Sequence, residues 1–391
     1  MSKITEFSSG MRSTDVRYAL LDKDNVYKKD LATVLSGSIS YNADAPIKKT
    51  AKFSIVDDGS IDYMNDRIMP YLRIGNPSGY YISREPSFLN MVHIFENEAK
   101  FVEGEHRWND YPLGIFTLDS PKMYDDVEYI IRDINAFDLT YTIQQNKTPT
   151  RIEIPEGDLY YPNIIEILSK SGAIHHVIEY VDKRAPRTLE YEAGTSYLTI
   201  VNDLLVQAGM EELNVTNDGV MVSRIYEPPS DKNVTRKYHD DTKSVIILGV
   251  ENIMDMSEAY NVFTVVRTNA DEAPMVCTFE NNNPNDPFST VNRGRSIVDF
   301  RKVSDIADKD ALEKLVMKMV SESSKKHGTI KFKTPLMHDH QFGEVIDFRY
   351  EQLGIEGIYE EISWDMDLTV GGIMTHEMRT TTDFRKGRWV Y

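Results

Sequence analysis

Along residues 11–145 the apolar positions fall mostly two apart. In 35–41 (LSGSISY) Leu35, Ile39 and Tyr41 share one face. In 49–56 Ala51, Phe53 and Ile55 alternate with Lys52 and Ser54. A period of two predicts half-buried strands. Residues 16–22, 113–120 and 128–137 read the same way, with polar turn clusters at 22–25 and 57–60. Residues 75–110 depart from this pattern. They mix Gly, Pro, Asn and Ser with Tyr80, Tyr81, Phe88 and Trp108. So long an excursion, too apolar for a linker, predicts a hairpin or lobe used for contacts.

The pattern changes at residue 150. Residues 162–172 read as a short helix with Pro162 in its first turn and Gly172 at its stop. Residues 195–209 read as a second helix. Thr195 is its expected cap, Tyr197, Val201, Leu204, Leu205 and Ala208 form one stripe, and Gly209 ends it. Asn217-Asp-Gly219 signals a hairpin, and the polar run from Pro228 to Lys243 a linker.

Strand signals return after residue 246. Residues 260–266 are apolar on both faces, Ile346, Phe348 and Tyr350 alternate with Asp347 and Arg349, and Ile362, Trp364, Met366 and Leu368 alternate with Ser363, Asp365 and Asp367. One amphipathic helix interrupts at about 308–327, with Leu312, Val316, Met319 and Val320 as its stripe. The Asn- and Pro-rich loop 281–295 has almost no apolar mass and is expected to be poorly ordered by itself. The predicted class is therefore mainly β with an α+β insert, divided as 1–149, 150–245 and 246–391. An internal echo supports two related β-barrels. Gly114 and Asp138-Leu139 recur as Gly343 and Asp367-Leu368 at a constant offset of 229 residues, each pair bracketing strand, turn and strand.

Composition narrows the function classes. Of the 391 residues 44 are basic and 62 acidic, and the excess is spread: 17 against 22 in residues 1–150, 10 against 16 in 151–245, and 17 against 24 beyond. Affinity for nucleic acid comes largely from cations neutralising phosphates. A chain acidic throughout is expected to repel DNA. No apolar run approaches the ~18 residues of a membrane span, and the N-terminus reads as no secretory signal. A single cysteine, Cys277, leaves no intrachain disulfide and reads as a buried filler.

The search for chemistry yields few candidates. There is no phosphate loop, nucleophile elbow or HExxH. His338-Asp339-His340 is the best metal candidate if the segment is a strand, with His327 or Asp347 as a third ligand. The polar end of a strand is the reading favoured over it. Asp365 and Asp367 share a strand face and could act as an acid–base pair, although a solvated face accounts for them. Asp22 and Asp24 open like a calcium loop but lack the Gly and Glu that complete one. Trp108, Trp364 and Trp389 lie in separate segments. No catalytic residue, cofactor or metal is expected.

Several stretches nonetheless resemble the tail hub proteins of phages and the N-terminal part of siphophage tail-associated proteins. They are GSISYNADAPIKKTAKFSIVDD, PLGIFTLDSP, INAFDLTY, TSYLTIVNDLLVQAGMEELNVTNDGVMVS, VENIMDMSEAYNVFTVVRTNADEAPMVCTFENNNPNDPFST and NRGRSIVDF, spread over about residues 11–380. The resemblance implies two tail-tube-like β-barrels separated by a mixed helical and β segment. It further implies a homotrimer whose six barrels form a pseudo-sixfold ring. That ring would join a hexameric tail tube, or a distal tail protein, to a trimeric tip, fibre or cell-wall hydrolase protein. The expected location is the virion tail tip, after assembly in the host cytoplasm. The expected role is structural and not enzymatic, with passing DNA contacted only by repulsion. The sequence ends after its second β region at Arg388–Tyr391, so wall cleavage is expected on another protein. The competing reading is a receptor- or carbohydrate-binding baseplate module that uses 75–110.

Overall fold

The computed structural model describes residues 13–75, 108–173, 175–230, 232–253, 259–268, 274–286, 288–380 and 387–391, leaving aside the side chains of 324–327. The first β region holds β1 (Thr14–Leu21), β2 (Tyr27–Asp30), β3 (Val34–Asn42), β4 (Lys49–Val56), β5 (Arg67–Gly75), β6 (Trp108–Pro112), β7 (Phe116–Asp125) and β8 (Ile130–Phe137). The insert follows with α1 (Thr140–Gln145), β9 (Ile152–Ile154), α2 (Tyr160–Lys170), β10 (His176–Ile178), β11 (Leu189–Tyr191), α3 (Tyr197–Gln207), β12 (Asn214–Val215) and β13 (Met221–Ser223). The last region comprises β14 (Arg236–His239), β15 (Ile247–Ile253), β16 (Val262–Arg267), β17 (Met275–Glu280), α4 (Thr290–Arg293), β18 (Val298–Val303), α5 (Lys309–His327), β19 (Thr329–Pro335), β20 (Val345–Tyr350), β21 (Ile355–Asp367), β22 (Ile373–Thr380) and β23 (Arg388–Val390).

Fourteen of these strands form one sheet. Its main path is β15-β19-β22-β21-β3-β4-β8-β7-β5-β1-β2, with β14 on β20, β20 on β21 and β6 on β5. The two β regions are thus joined by an antiparallel seam in which Ser363 to Asp367 of β21 face Asn42 to Ser38 of β3. Among the described residues this path stays open, so strand pairing closes neither region on itself. One core spans the seam. Tyr18, Leu20, Ile39, Phe53 and Phe116 pack in the same cluster as Phe332, Phe348, Trp364 and Met378.

The insert roofs the first region, and the pleat explains how. Tyr18 and Leu20 of β1 enter the seam-spanning core, while Ala19 and Leu21 enter a second core with Ile164, Leu168, Leu204 and Leu205. Successive residues point to opposite faces, so the end of β1 is buried on both. Ile68 and Leu72 against Met69 and Tyr71 repeat this on β5. Gly219 turns the β12–β13 hairpin at φ 84°, where Thr216 accepts the Gly219 N–H. A Cβ there would stand 2.6 Å from Ile115 Cδ1. This is a position of close approach that glycine alone suits.

A smaller sheet, β18-β16-β17-β23, packs under α5. Its core holds Phe263, Val265, Cys277 and Phe279 against Leu312, Val316, Met319 and Val320. The expected helix stripe is observed, and burial pushes the Cys277 thiol up to about 12. β16 is the central strand anticipated, but its alternate residues Val262, Thr264 and Val266 are only half-buried.

In the loop 281–295 the described side chains bond the backbone and one another where an apolar core is lacking. Asn281 Nδ2 donates to Asp286, and Asn292 Nδ2 donates to the Pro284 and Asp286 carbonyls, each at 2.7 Å. Asn261 bonds the Phe288 and Arg295 carbonyls, and Ser289 caps α4 through Asn292 N–H. In the excursion 75–110, residues 76–107 lie outside the described residues. Its two ends meet, however, as the register pair Gly75 and Trp108.

Candidate functional site

Two features of the large sheet stand out. The first is its polar face, away from the seam-spanning core. Cross-strand partners share a face, so the registers build continuous rows. One runs Asn135, Lys52, Ser38, Asp367 across β8, β4, β3 and β21. The next runs Ser40, Asp365, Thr375, Lys333 across β3, β21, β22 and β19. A third holds Ser363, Glu377 and Lys331, with Lys331 Nζ 3.2 Å from Glu377. Asp365 and Asp367 are exposed and Ser40 Oγ donates to Asp365, so the two carboxylates stand on a solvated strand face. Hydroxyls, amides and three lysines accompany the acids, which makes the face mixed in charge.

The second feature lies on the opposite, buried side. Residues 336–344 form a turn between β19 and β20 and not a strand. His338 and His340 therefore do not share a ligand. The His338 ring stacks on Tyr111 at 3.6 Å between centroids, and Asp347 sits on β20 beside His239 at 3.1 Å. The His327 side chain lies outside what is described. His340 instead meets two residues that sequence reasoning missed, Glu361 and His376. Its Nδ1 is 2.8 Å from Glu361 Oε2 and 3.2 Å from Glu344 Oε2, while His376 Nδ1 is 2.6 Å from Glu361 Oε1. Each ring's other nitrogen meets a hydroxyl: His340 Nε2 and Tyr238 OH at 2.7 Å, His376 Nε2 and Thr334 Oγ1 at 2.8 Å. Arg236 pairs with Glu344 and, at 3.3 Å, with Asp339.

His340, Glu361 and His376 are each no more than 1% exposed. Burial pushes both imidazoles down to about 3, so they are neutral at physiological pH. Burial also raises the Glu344 carboxyl against the opposing effect of Arg236. Glu361 arrives here through an irregularity. The alternation Ile362, Trp364, Met366 places residue 361 outside, but the β21–β22 register shifts between Glu361 and Ser363. Glu361 and Ile362 are consequently both buried. A bulge re-aims a side chain in this way, and nothing in the apolar pattern announces it.

A third set of groups locks the insert to both β regions. Lys49 of β4, 2% exposed, donates from Nζ to Asn217 Oδ1, and Asn217 Nδ2 donates to the His338 carbonyl at 3.0 Å. Burial brings the Lys49 ammonium down to about 8. The calcium-loop likeness at Asp22 resolves as a turn, where one Asp22 oxygen accepts the Asp24 and Val26 N–H groups at 2.9 Å. Trp364 stacks on Tyr41, Trp389 packs on Phe279, and Arg73 lies over Trp108, so the tryptophans form no joint platform.

Comparison with known proteins gives no match to a family model and none to a curated protein. Solved structures do match along nearly the whole chain. The tail protein from Neisseria meningitidis superposes with a TM-score of 0.61 at 11% identity, covering 94% of this chain and 97% of its own. The 43 kDa tail protein of a Shewanella oneidensis prophage gives 0.57 at 10% identity over 93% and 98%. The prophage tail protein gp18 from Listeria monocytogenes gives 0.53 at 12% over 94% and 96%. Two β regions fused in one sheet around a helical insert, matched end to end by these structures, give the chain the fold of phage tail proteins.

Proposed function

We propose that this protein is the structural hub of a phage or phage-like tail tip. Three copies form a pseudo-sixfold ring that joins a hexameric tube to a trimeric tip, with the polar sheet face toward the DNA channel. The observation that carries the reading is the β3–β21 seam. It holds two hairpins, β7–β8 and β20–β21, in one sheet. Phe116 and Val345, which open them, are separated by the same 229 residues as the sequence echo. A subunit with two such units offers six in a closed threefold ring.

A wall along which duplex DNA slides must not trap phosphates. Serine, threonine and asparagine side chains bind water there, and Asp365 and Asp367 repel over about one Debye length, ~8 Å at physiological salt. Lys331 is held by Glu377. This refines the expectation that the acidic chain repels DNA to acids gathered along the seam in a mixed face. The neighbours in this reading are a tail tube or distal tail protein above and a tip, fibre or wall-hydrolase protein below. The virion is the site of action, after assembly in the host cytoplasm. The role is structural.

The test is native mass and negative-stain imaging of the full chain, alone and with the adjacent tip protein. Rings of three copies are expected. A monomer under both conditions overturns the reading. The receptor- or carbohydrate-binding alternative rests on 76–107, outside the described residues, and no described feature favours it.

A further inference from the structure

We propose that His340, Glu361 and His376 form a closed structural site for a divalent ion of the zinc class. Thr334 Oγ1 carries one hydrogen and lies 2.9 Å from the Pro335 carbonyl as donor and 2.8 Å from His376 Nε2. When the carbonyl takes that hydrogen, His376 Nε2 becomes the N–H donor to Oγ1. A neutral imidazole then presents a bare Nδ1 lone pair to Glu361 Oε1 at 2.6 Å. Tyr238 OH has only the weak acceptor Met337 Sδ, at 3.9 Å, besides His340 Nε2 at 2.7 Å, so the case for a bare Nδ1 rests first on His376. In that tautomer a nitrogen lone pair faces a carboxylate oxygen in a dry interior, and a cation between them relieves the repulsion.

The arrangement is also that of a metal site on other grounds. The ligand atoms of the three side chains lie within 4.8 Å of one another. Metal bonds of about 2.0–2.2 Å space the atoms of one tetrahedral sphere ~3.4 Å apart, so the closest pairs, now at 2.6 and 2.8 Å, open by about 0.6–0.8 Å when an ion enters. Each imidazole has its remote nitrogen fixed by a hydroxyl, the outer-shell pattern that orients ligating histidines. Two nitrogens with carboxylate oxygen suit zinc or cobalt better than calcium or magnesium. The fourth position of a tetrahedral sphere falls to Glu344, whose Oε2 lies 3.2 Å from His340 Nδ1, and with it the buried site is closed and structural. An approach exists, because Glu361 forms part of the wall of a cavity of about 440 Å³ with Tyr41, Glu211, Phe342 and Arg379. This departs from the sequence-based expectation of no metal, since two of the three ligands come from β21 and β22 and only one from the 338–340 triplet.

The test uses the full chain refolded from urea with Zn²⁺ or Co²⁺, then desalted. Elemental analysis is expected to find close to one ion per folded chain, and the cobalt form to show ligand-field absorption in the visible. Glu361→Gln and His376→Gln should lower retained metal at least ~10-fold, whereas His338→Gln, at the stacked neighbour, should leave it unchanged. Folded wild-type protein without stoichiometric metal overturns the proposal and leaves a network of Nδ1–H donors. So does full retention of metal by both ligand variants. Because the wild-type metal content is itself decisive, a variant that fails to fold does not leave the question open.

Discussion

Ser40 on β3 donates a hydrogen bond to Asp365 on β21, across 325 residues of sequence, and that pair marks the seam where the two β regions become one sheet. Beneath it Ile39 and Met366 are register partners, and Trp364 stacks on Tyr41 with ring centroids 5.7 Å apart. Trp364→Ala should therefore cost about 3–5 kcal/mol. Both β regions should unfold in one transition, read by urea titration with fluorescence and circular dichroism. Trp364→Phe should cost much less, because it also removes a buried indole N–H that has no partner. Two separated transitions in the wild type would contradict a shared core.

Lys49 predicts a pH dependence. Its folded value of about 8 lies below its ordinary 10.5. Between those values the unfolded chain holds more protons than the folded one, so stability rises with pH across that window. The gain is at most about 3 kcal/mol, and the cost it relieves is fully present below pH 8. Lys49→Met should lose this slope, so that the wild-type-minus-variant difference in stability rises between pH 7 and pH 10. An unchanged slope in the variant would place the titration elsewhere.

Gly219→Ala should lose about 1–3 kcal/mol through positive φ and the approach of Ile115. Ile115→Val in the same chain should recover part of that loss by relieving the contact. Thermal denaturation of the single and double variants measures both terms. Equal loss in the two would leave the close approach without energetic effect.

The loop 281–295 should resist limited proteolysis in the isolated protein. Asn292→Ala, which removes bonds to the Pro284 and Asp286 carbonyls, should open it to cleavage. Rapid cutting of the wild type would restore the expectation of an unstructured segment.

Reversal of Asp365 and Asp367 to lysine should leave the assembled particle intact and slow genome release, because lysines on a channel wall bind phosphate. The effect should weaken as salt rises. Unchanged release at low salt would remove this face from the DNA path.

Much of the fold is legible from residue periodicity, and the misses share a cause. The helix stripes of α3 and α5 and the stops at Gly172 and Gly209 appear where the pattern places them. Ser196 caps α3 in place of Thr195, one residue later than expected. Leu35, assigned to the face of Ile39, is 58% exposed because the β3–β4 register shifts between Val34 and Ser36. Glu361 is inside for the same kind of reason at the other end of the seam. A one-residue bulge reverses every assignment on one side of it, and its signature is in cross-strand pairing that a single strand does not record. The side-chain bonds of the 281–295 loop were not legible either, because the partners of its asparagines are fixed only by the folded backbone.

The pairing of Gly75 with Trp108 has a consequence for how this chain can vary. Opposed residues of an antiparallel ladder stand about 4.5–5.5 Å apart, so the 32 residues between them leave and re-enter the sheet through one gap that a two-residue turn would also close. Lengthening such a segment raises its closure entropy only logarithmically. The β5–β6 ladder therefore works as a socket. A change in the length of chain between its two ends leaves every strand register behind them in place.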